Sequence, residues 1–144
     1  MNTGKTLNRT IKYLFLLLVG GFSYFYLEIL YRGYSHYSMI ICGGLAFILC
    51  GFINQKFGFQ IPLIIQMFIS AIIITSLELI TGILFNIVLG ANVWDYSNMP
   101  YNLYGQICLA YSTLWFFLSL ICIFADDFLR HHLFNEKKAT YRLL

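Results

Sequence analysis

The sequence predicts an all-α, polytopic membrane protein: four transmembrane helices with a structured outer loop between the third and fourth. Three observations carry that prediction. First, 60% of the 144 residues are hydrophobic and only 10% are charged, with a mean hydropathy of +0.75. Soluble domains carry about a quarter charged residues. Second, four apolar runs, roughly 13–31, 38–54, 61–89 and 106–125, approach or exceed the about 20 residues that cross about 30 Å of hydrocarbon. Third, with four spans, the nine basic residues divide eight to one between the two sides.

The first run follows Lys5, Arg9 and Lys12. Those charges resemble the start of a signal peptide. The run is rich in Phe and Tyr, however, has no A-x-A-like site and leads into Glu28, so a retained span is expected. The Gly4-Lys5-Thr6 triplet lacks the upstream glycine and strand of a phosphate-binding loop. The second run is short at its edges, and the third is long enough to require tilt or an outer turn beyond the bilayer. Backbone groups cannot stay unpaired in lipid, which makes each run a helix. The polar–apolar alternation of a membrane barrel is absent. Residues 1–144 read as a single integral membrane domain.

Lys5, Arg9, Lys12, Lys56, Arg130, Lys137, Lys138 and Arg142 fall on one side, and Arg32 on the other. The positive-inside rule then puts both termini in the cytoplasm and residues 90–105 outside a cell membrane. Asp126 and Asp127 are expected at a solvated helix end. No basic run is interleaved with aromatics, so nucleic acid is not an expected partner. Cys42, Cys50, Cys108 and Cys122 all lie in apolar runs without a C-x-x-C pair. They read as small residues at helix contacts, not as a disulfide framework or metal site. No metal and no cofactor are expected.

Leu27-Glu28-Ile29-Leu30 and Leu77-Glu78-Leu79-Ile80 stand 50 residues apart, as do the starts of their spans. This suggests a 2+2 parallel repeat with both glutamates in the outer half of the membrane. On the third span Ala71, Thr75, Glu78, Gly82 and Asn86 form one small-and-polar face at helical spacing. Cys42, Ala46 and Cys50, with Gly43, Gly44 and Gly51 close by, do so on the second; Cys108, Ser112, Trp115, Ser119 and Cys122 do so on the fourth. Small residues let helices approach closely in lipid. A carboxylate in a span must be paired, protonated or hydrated. Arg32 follows Glu28 by four residues, on the same face. Glu28, Arg32 and Glu78, with Asp95 from the loop, therefore form either a polar lock or a binding site for a cation, a proton or a headgroup.

The loop Val93–Gln106 is dense in side chains that recognise things: Trp94, Asp95, Tyr96, Ser97, Pro100, Asn102 and Gly105. Its aromatic rings suit the headgroup level. Met99-Pro100 marks a turn, asparagines can satisfy exposed backbone, and Asp95 can reach Arg32 or cap a turn. Either a plug over the bundle or a gate fits that composition. Leu77-Glu78-x-x-x-Gly82, followed by Trp94-Asp95-Tyr96-Ser97, Pro100, Asn102, Gly105 and Trp115, resembles the bacterial family described as putative ABC-transporter permease, CmpB-type (putative ABC-transporter type IV). It is similar, too, to the vertebrate transmembrane protein 229 family. The resemblance covers roughly residues 70–130. Tyr24-Phe25-Tyr26-Leu27-Glu28 and Arg32-Gly33 match the family's first half less well. Its G-P-x-x-P-x-Y-G element is missing, with Cys42-Gly43-Gly44 the nearest substitute.

The resemblance implies a permease-like transport component with an outward-facing polar site. The chain has no nucleotide-binding loop, so ABC-type transport would need a separate ATPase subunit. Oligomerisation of the chain would enlarge the small space that four spans leave for a cavity. The alternative is an accessory or interaction membrane protein whose intramembrane charges are structural. An enzyme is not expected: His36 lies apart from His131-His132, and no nucleophile–base pair is in view.

Overall fold

The computed structural model describes residues 3–144; the side chains of Gly4-Lys5-Thr6, and with them the Lys5 charge, lie outside the described residues. Four helices follow in order: α1 (Thr3–Arg32), α2 (Tyr37–Phe57), α3 (Leu63–Gly82) and α4 (Leu109–Phe134). α3 continues as a π-helical stretch, Ile83–Val88. Between it and α4 lies a small antiparallel hairpin, β1 (Asn102–Leu103) and β2 (Ile107–Cys108). All four helices are long and apolar enough to cross a membrane, over Asn8–Arg32, Tyr37–Phe57, Leu63–Val88 and Leu109–Phe134.

The spans differ from the expected ones at their ends. α2 gains a full span because His36 accepts the Ser38 amide at its start and Gly58, at φ 62°, closes it. α4 begins at 109, not 106, because residues 102–108 form the hairpin. It runs to Phe134, nine residues past the expected end. Asp126 and Asp127 are the reason, and their expected solvation is overturned. They are 0% and 5% exposed. Asp126 pairs with Arg130 at 2.6 Å, and Asp127 accepts from Asn54 of α2 at 2.6 Å and from Tyr141 at 2.7 Å.

α1 packs chiefly on α2, and α3 on α4. Glycines on both sides permit the first contact: a Cβ on Gly20 would strike Phe47, and one on Gly43 would lie 2.6 Å from the Tyr24 Cβ. Each half of the expected 2+2 repeat is thus one pair of packed helices. Glu28 and Glu78 each stand four residues before the end of their α-helix. The start of α1 and the end of α4 share one end of the bundle, where Phe15 meets Phe134 and Lys12 meets Glu136. Residues 135–142 fold back across this terminal end, and the Arg142 carbonyl accepts the first amide of α3, Leu63 N, at 2.7 Å. The opposite, loop end is closed by residues 91–106.

Candidate functional site

The loop does not lie on the bundle; it enters it. Val93 and Trp94 are buried beside Met39, with Tyr24, Cys42, Phe85 and Tyr96 around them. Trp94 was expected at the headgroup level, but it is 7% exposed and its Nε1 donates to the Gln106 carbonyl at 2.9 Å. An indole that finds its acceptor inside has no reason to stay at the interface. Tyr101 and Tyr104 do remain exposed. Gly82 supplies the room: a Cβ there would sit 2.6 Å from Gln106 Oε1 and 3.0 Å from the Trp94 ring. This small residue thus admits the loop and not a neighbouring helix.

Asn86, on the π-helical stretch, clamps the two ends of the loop, at Val93-Trp94 and at Gln106. Its Nδ2 donates to the Trp94 carbonyl at 3.0 Å and to Gln106 Oε1 at 2.8 Å, and its Oδ1 accepts the Val93 amide at 2.6 Å. One carboxamide thus satisfies three loop groups that lipid would leave unpaired. At the tip, Asn102 Nδ2 donates to the Ser97 and Met99 carbonyls, and its Oδ1 accepts the Gly105 amide at 3.0 Å. Met99-Pro100 lies in the turn this closes. Gly105 takes φ 67°, and a Cβ there would lie 2.8 Å from Asp95 Oδ1.

The four charged candidates separate into three groups. Arg32 Nη2 donates to Glu28 Oε1 at 2.7 Å, and Nη1 to the Val93 carbonyl at 3.0 Å. Ser35 completes Glu28 by donating to Oε2 at 2.5 Å. Glu78 is 6% exposed and makes no ion pair among the described residues. Tyr96 hydroxyl donates to its Oε1, and Trp115 Nε1 to its Oε2, both at 3.0 Å. Arg32 therefore ties Glu28 to the loop and does not bridge the two glutamates. Asp95 reaches neither. Its Oδ1 accepts the Ser97 amide at 2.8 Å and the Ser97 hydroxyl, and it is exposed. The Ser97 hydroxyl, and after it the backbone amide, hold the Asp95 carboxyl below its ordinary range. Burial, and next the Glu78 charge, push the Tyr96 phenol well above its own.

Sequence reasoning placed Glu28, Arg32 and Glu78 at one end but missed the partners of Glu78. Trp115 was legible as a member of the α4 face, and the signal was a tryptophan inside a span, whose N–H needs an acceptor. The expected polar face of α3 holds together: Thr75 donates to Ser112 of α4 at 3.1 Å, and Gly82 and Asn86 receive the loop. The bonds of Gln106 had no signal beyond its place after Gly105. The family model described as putative ABC-transporter type IV matches residues 26–142. No curated protein and no solved structure matches the chain.

Proposed function

The chain belongs to the putative ABC-transporter type IV family, and from that membership and the loop-end geometry we propose that it is a permease-like transport component with an outward-facing polar site. The carrying observation is Glu78: a carboxylate buried in the bundle, without an ion pair among the described residues, directly under a loop that inserts from one end. Glu28 and Arg32 form the rim, because their pair holds the loop through the Val93 carbonyl. A cation, a proton or a polar headgroup entering from that end meets Tyr96 and then Glu78. The basic asymmetry supports a multi-pass cell-membrane protein with both termini cytoplasmic and the loop outside. A separate ATPase subunit supplies the energy, the chain can work as a homo-oligomer, and it is not itself an enzyme. The likeness to the vertebrate transmembrane protein 229 family belongs to the same proposal and rests on the Trp94–Ser97 element and its flanking Glu78 and Gly105.

A second reading has its own support. Both oxygens of Glu28 and both of Glu78 have a donor, as expected of charges that only hold an accessory protein together. Purification of the full chain from its native membrane separates the readings. An ATP-hydrolysing subunit that co-purifies, and whose turnover drops when Glu78→Gln replaces the wild type, supports transport. A folded Glu78→Gln chain with no such subunit and no change in any associated ATPase supports the structural reading.

A further inference from the structure

The terminal end of the bundle holds a second buried ionisable centre. Arg130 Nε donates to Asp126 Oδ2 at 2.6 Å, its Nη1 and Nη2 make no hydrogen bond among the described residues, and Lys12 donates to Glu136 at 2.5 Å. Arg130 Nη1 is also 3.7 Å from Glu136. Asp127 is left with two neutral donors, Asn54 Nδ2 and the Tyr141 hydroxyl. A carboxylate buried on neutral partners is costly while charged.

The geometry of those two bonds is informative. Both donors converge on one oxygen, Asp127 Oδ2. At Glu28 and Glu78, by contrast, the donors are shared between the two oxygens. A protonated carboxylic acid accepts through its carbonyl oxygen and carries hydrogen on the other, and the Asp127 arrangement fits that form. Asp127 also opens onto a groove of about 270 Å³ whose walls include His131, His132, Lys138 and Tyr141. Each histidine places Nδ1 on a carbonyl, His131 on Glu136 at 2.8 Å and His132 on Phe128 at 3.0 Å. A carbonyl only accepts, so Nδ1 carries the proton and Nε2 is left as the exchanging atom. Asp126 adds an independent sign of a built polar site. It is completely buried against Gly51, and its Oδ1 has no hydrogen-bond partner among the described residues.

We propose that Asp127 is a proton-binding site, loaded from the terminal face of the bundle through the histidine-lined groove and covered by the C-terminal strap through Tyr141. In loading, an imidazolium in the groove gives up its Nε2 proton, an O–H bond forms at Asp127 Oδ1, and the imidazole is left neutral; release is the reverse. The groups facing the site are Asn54 from α2, Arg130, His131 and His132 from α4, and Lys138 on the groove wall; Lys12 and Tyr13 of α1 bear on it through Glu136 and Arg130. Glu136 and Tyr141 face it from the strap. The inference does not rest on the loop-end site, which lies at the other end of the bundle.

Infrared difference spectroscopy of the full chain in detergent, titrated from alkaline to acid pH, tests it. The expected result is a carboxylic-acid carbonyl band that is lost in Asp127→Asn. In Tyr141→Phe the band should shift, because the ring still packs on Phe124, 4.7 Å away, while the hydroxyl donor is gone. The amide of Asp127→Asn still accepts from Asn54 and Tyr141, and the Tyr141→Phe shift is available even where that variant does not fold. Absence of the band in the wild type at every pH overturns the proposal. So does a band kept in Asp127→Asn and lost in Glu78→Gln, which would belong to the loop end. A band abolished by sodium or potassium chloride at fixed pH overturns it too, because the occupant would then be an alkali cation.

Discussion

Replacing Arg32 by alanine removes two bonds made by one guanidinium, to Glu28 at 2.7 Å and to the Val93 carbonyl at 3.0 Å. Truncating one member of a fully buried pair costs about 3–5 kcal/mol. These side chains keep 20% and 13% of their exposure, so water recovers part of the stranded Glu28 charge and that share falls to about 1–3 kcal/mol. The bond to Val93 adds about 1 kcal/mol, which brings Arg32→Ala to a loss of about 2–4 kcal/mol. Combining it with Glu28→Gln removes the stranded charge and should recover about half of that loss. A double-mutant cycle of unfolding in detergent should give about 1–2 kcal/mol of coupling between Arg32 and Glu28. The same cycle with Glu78→Gln should be additive within about 0.5 kcal/mol, because no bond joins Arg32 to Glu78. A neutral Arg32→Ala, or a coupling to Glu78 as large as that to Glu28, would refute this assignment of partners.

Gly82→Leu should unseat the loop, since even a Cβ there meets Gln106 at 2.6 Å. The check is Trp94 fluorescence in a Trp115→Phe background, and Ile83→Leu, on an exposed position, should leave it unchanged. Alkaline pH should destabilise the fold through its closing segments. Burial, then Glu78 for Tyr96 and Asp127 for Tyr141, raise both phenols. The folded state therefore keeps protons that the unfolded chain releases above about pH 10, and stability present below that value declines as pH rises through it. Tyr96→Phe and Tyr141→Phe should each flatten the decline in a thermal melt at increasing pH, and an unchanged slope would count against the shifts. For orientation, Ser97→Cys should react with an impermeant thiol reagent in intact cells and Thr140→Cys should not. Asn135 is the poorer choice for that label because its φ is 52°. Labelling at Thr140→Cys alone would reverse the orientation.

Four spans were legible because hydrophobic run length is a direct physical requirement of the bilayer, and that signal does not depend on tertiary contacts. The helix ends were less legible, because partners distant in sequence set them. Asp126 and Asp127 look like a solvated terminus until Asn54, 73 residues before Asp127, and Tyr141 are brought to them. Arg32 with Glu28 could be read from i, i+4 spacing. The partners of Glu78 could not, since Tyr96 and Trp115 lie 18 and 37 residues away on different elements. Trp94 shows the limit of composition: a tryptophan near a span end fits the headgroup level equally well as a buried anchor. The difference lies in Gly82 and Gln106, which give it space and an acceptor.

The two ends of the bundle are closed in chemically parallel ways, but the closures are held differently. Each closing segment lays one tyrosine hydroxyl on a buried carboxylate, Tyr96 on Glu78 and Tyr141 on Asp127. The loop is held in addition by a carboxamide network, Asn86 with Gln106, and by a buried indole. Opening it would strand several polar groups in an apolar bundle at once, each costing about 1–3 kcal/mol. The strap is held by a backbone bond to the start of α3, by the Tyr141 hydroxyl, by the Glu136 amide on the Arg130 carbonyl, by His131 on the Glu136 carbonyl, and by the ion pairs of Glu136 with Lys12 and Arg130. Water can replace the Lys12–Glu136 pair, whose side chains keep 16% and 20% of their exposure, at little cost, but not the Tyr141 bond to the buried Asp127. On the transport reading, release of the loop requires something that substitutes for Tyr96 and Trp115 at Glu78. On that reading, a ligand with a positive or hydrogen-bond-donating group would do so, and the loop end would be where substrate is recognised.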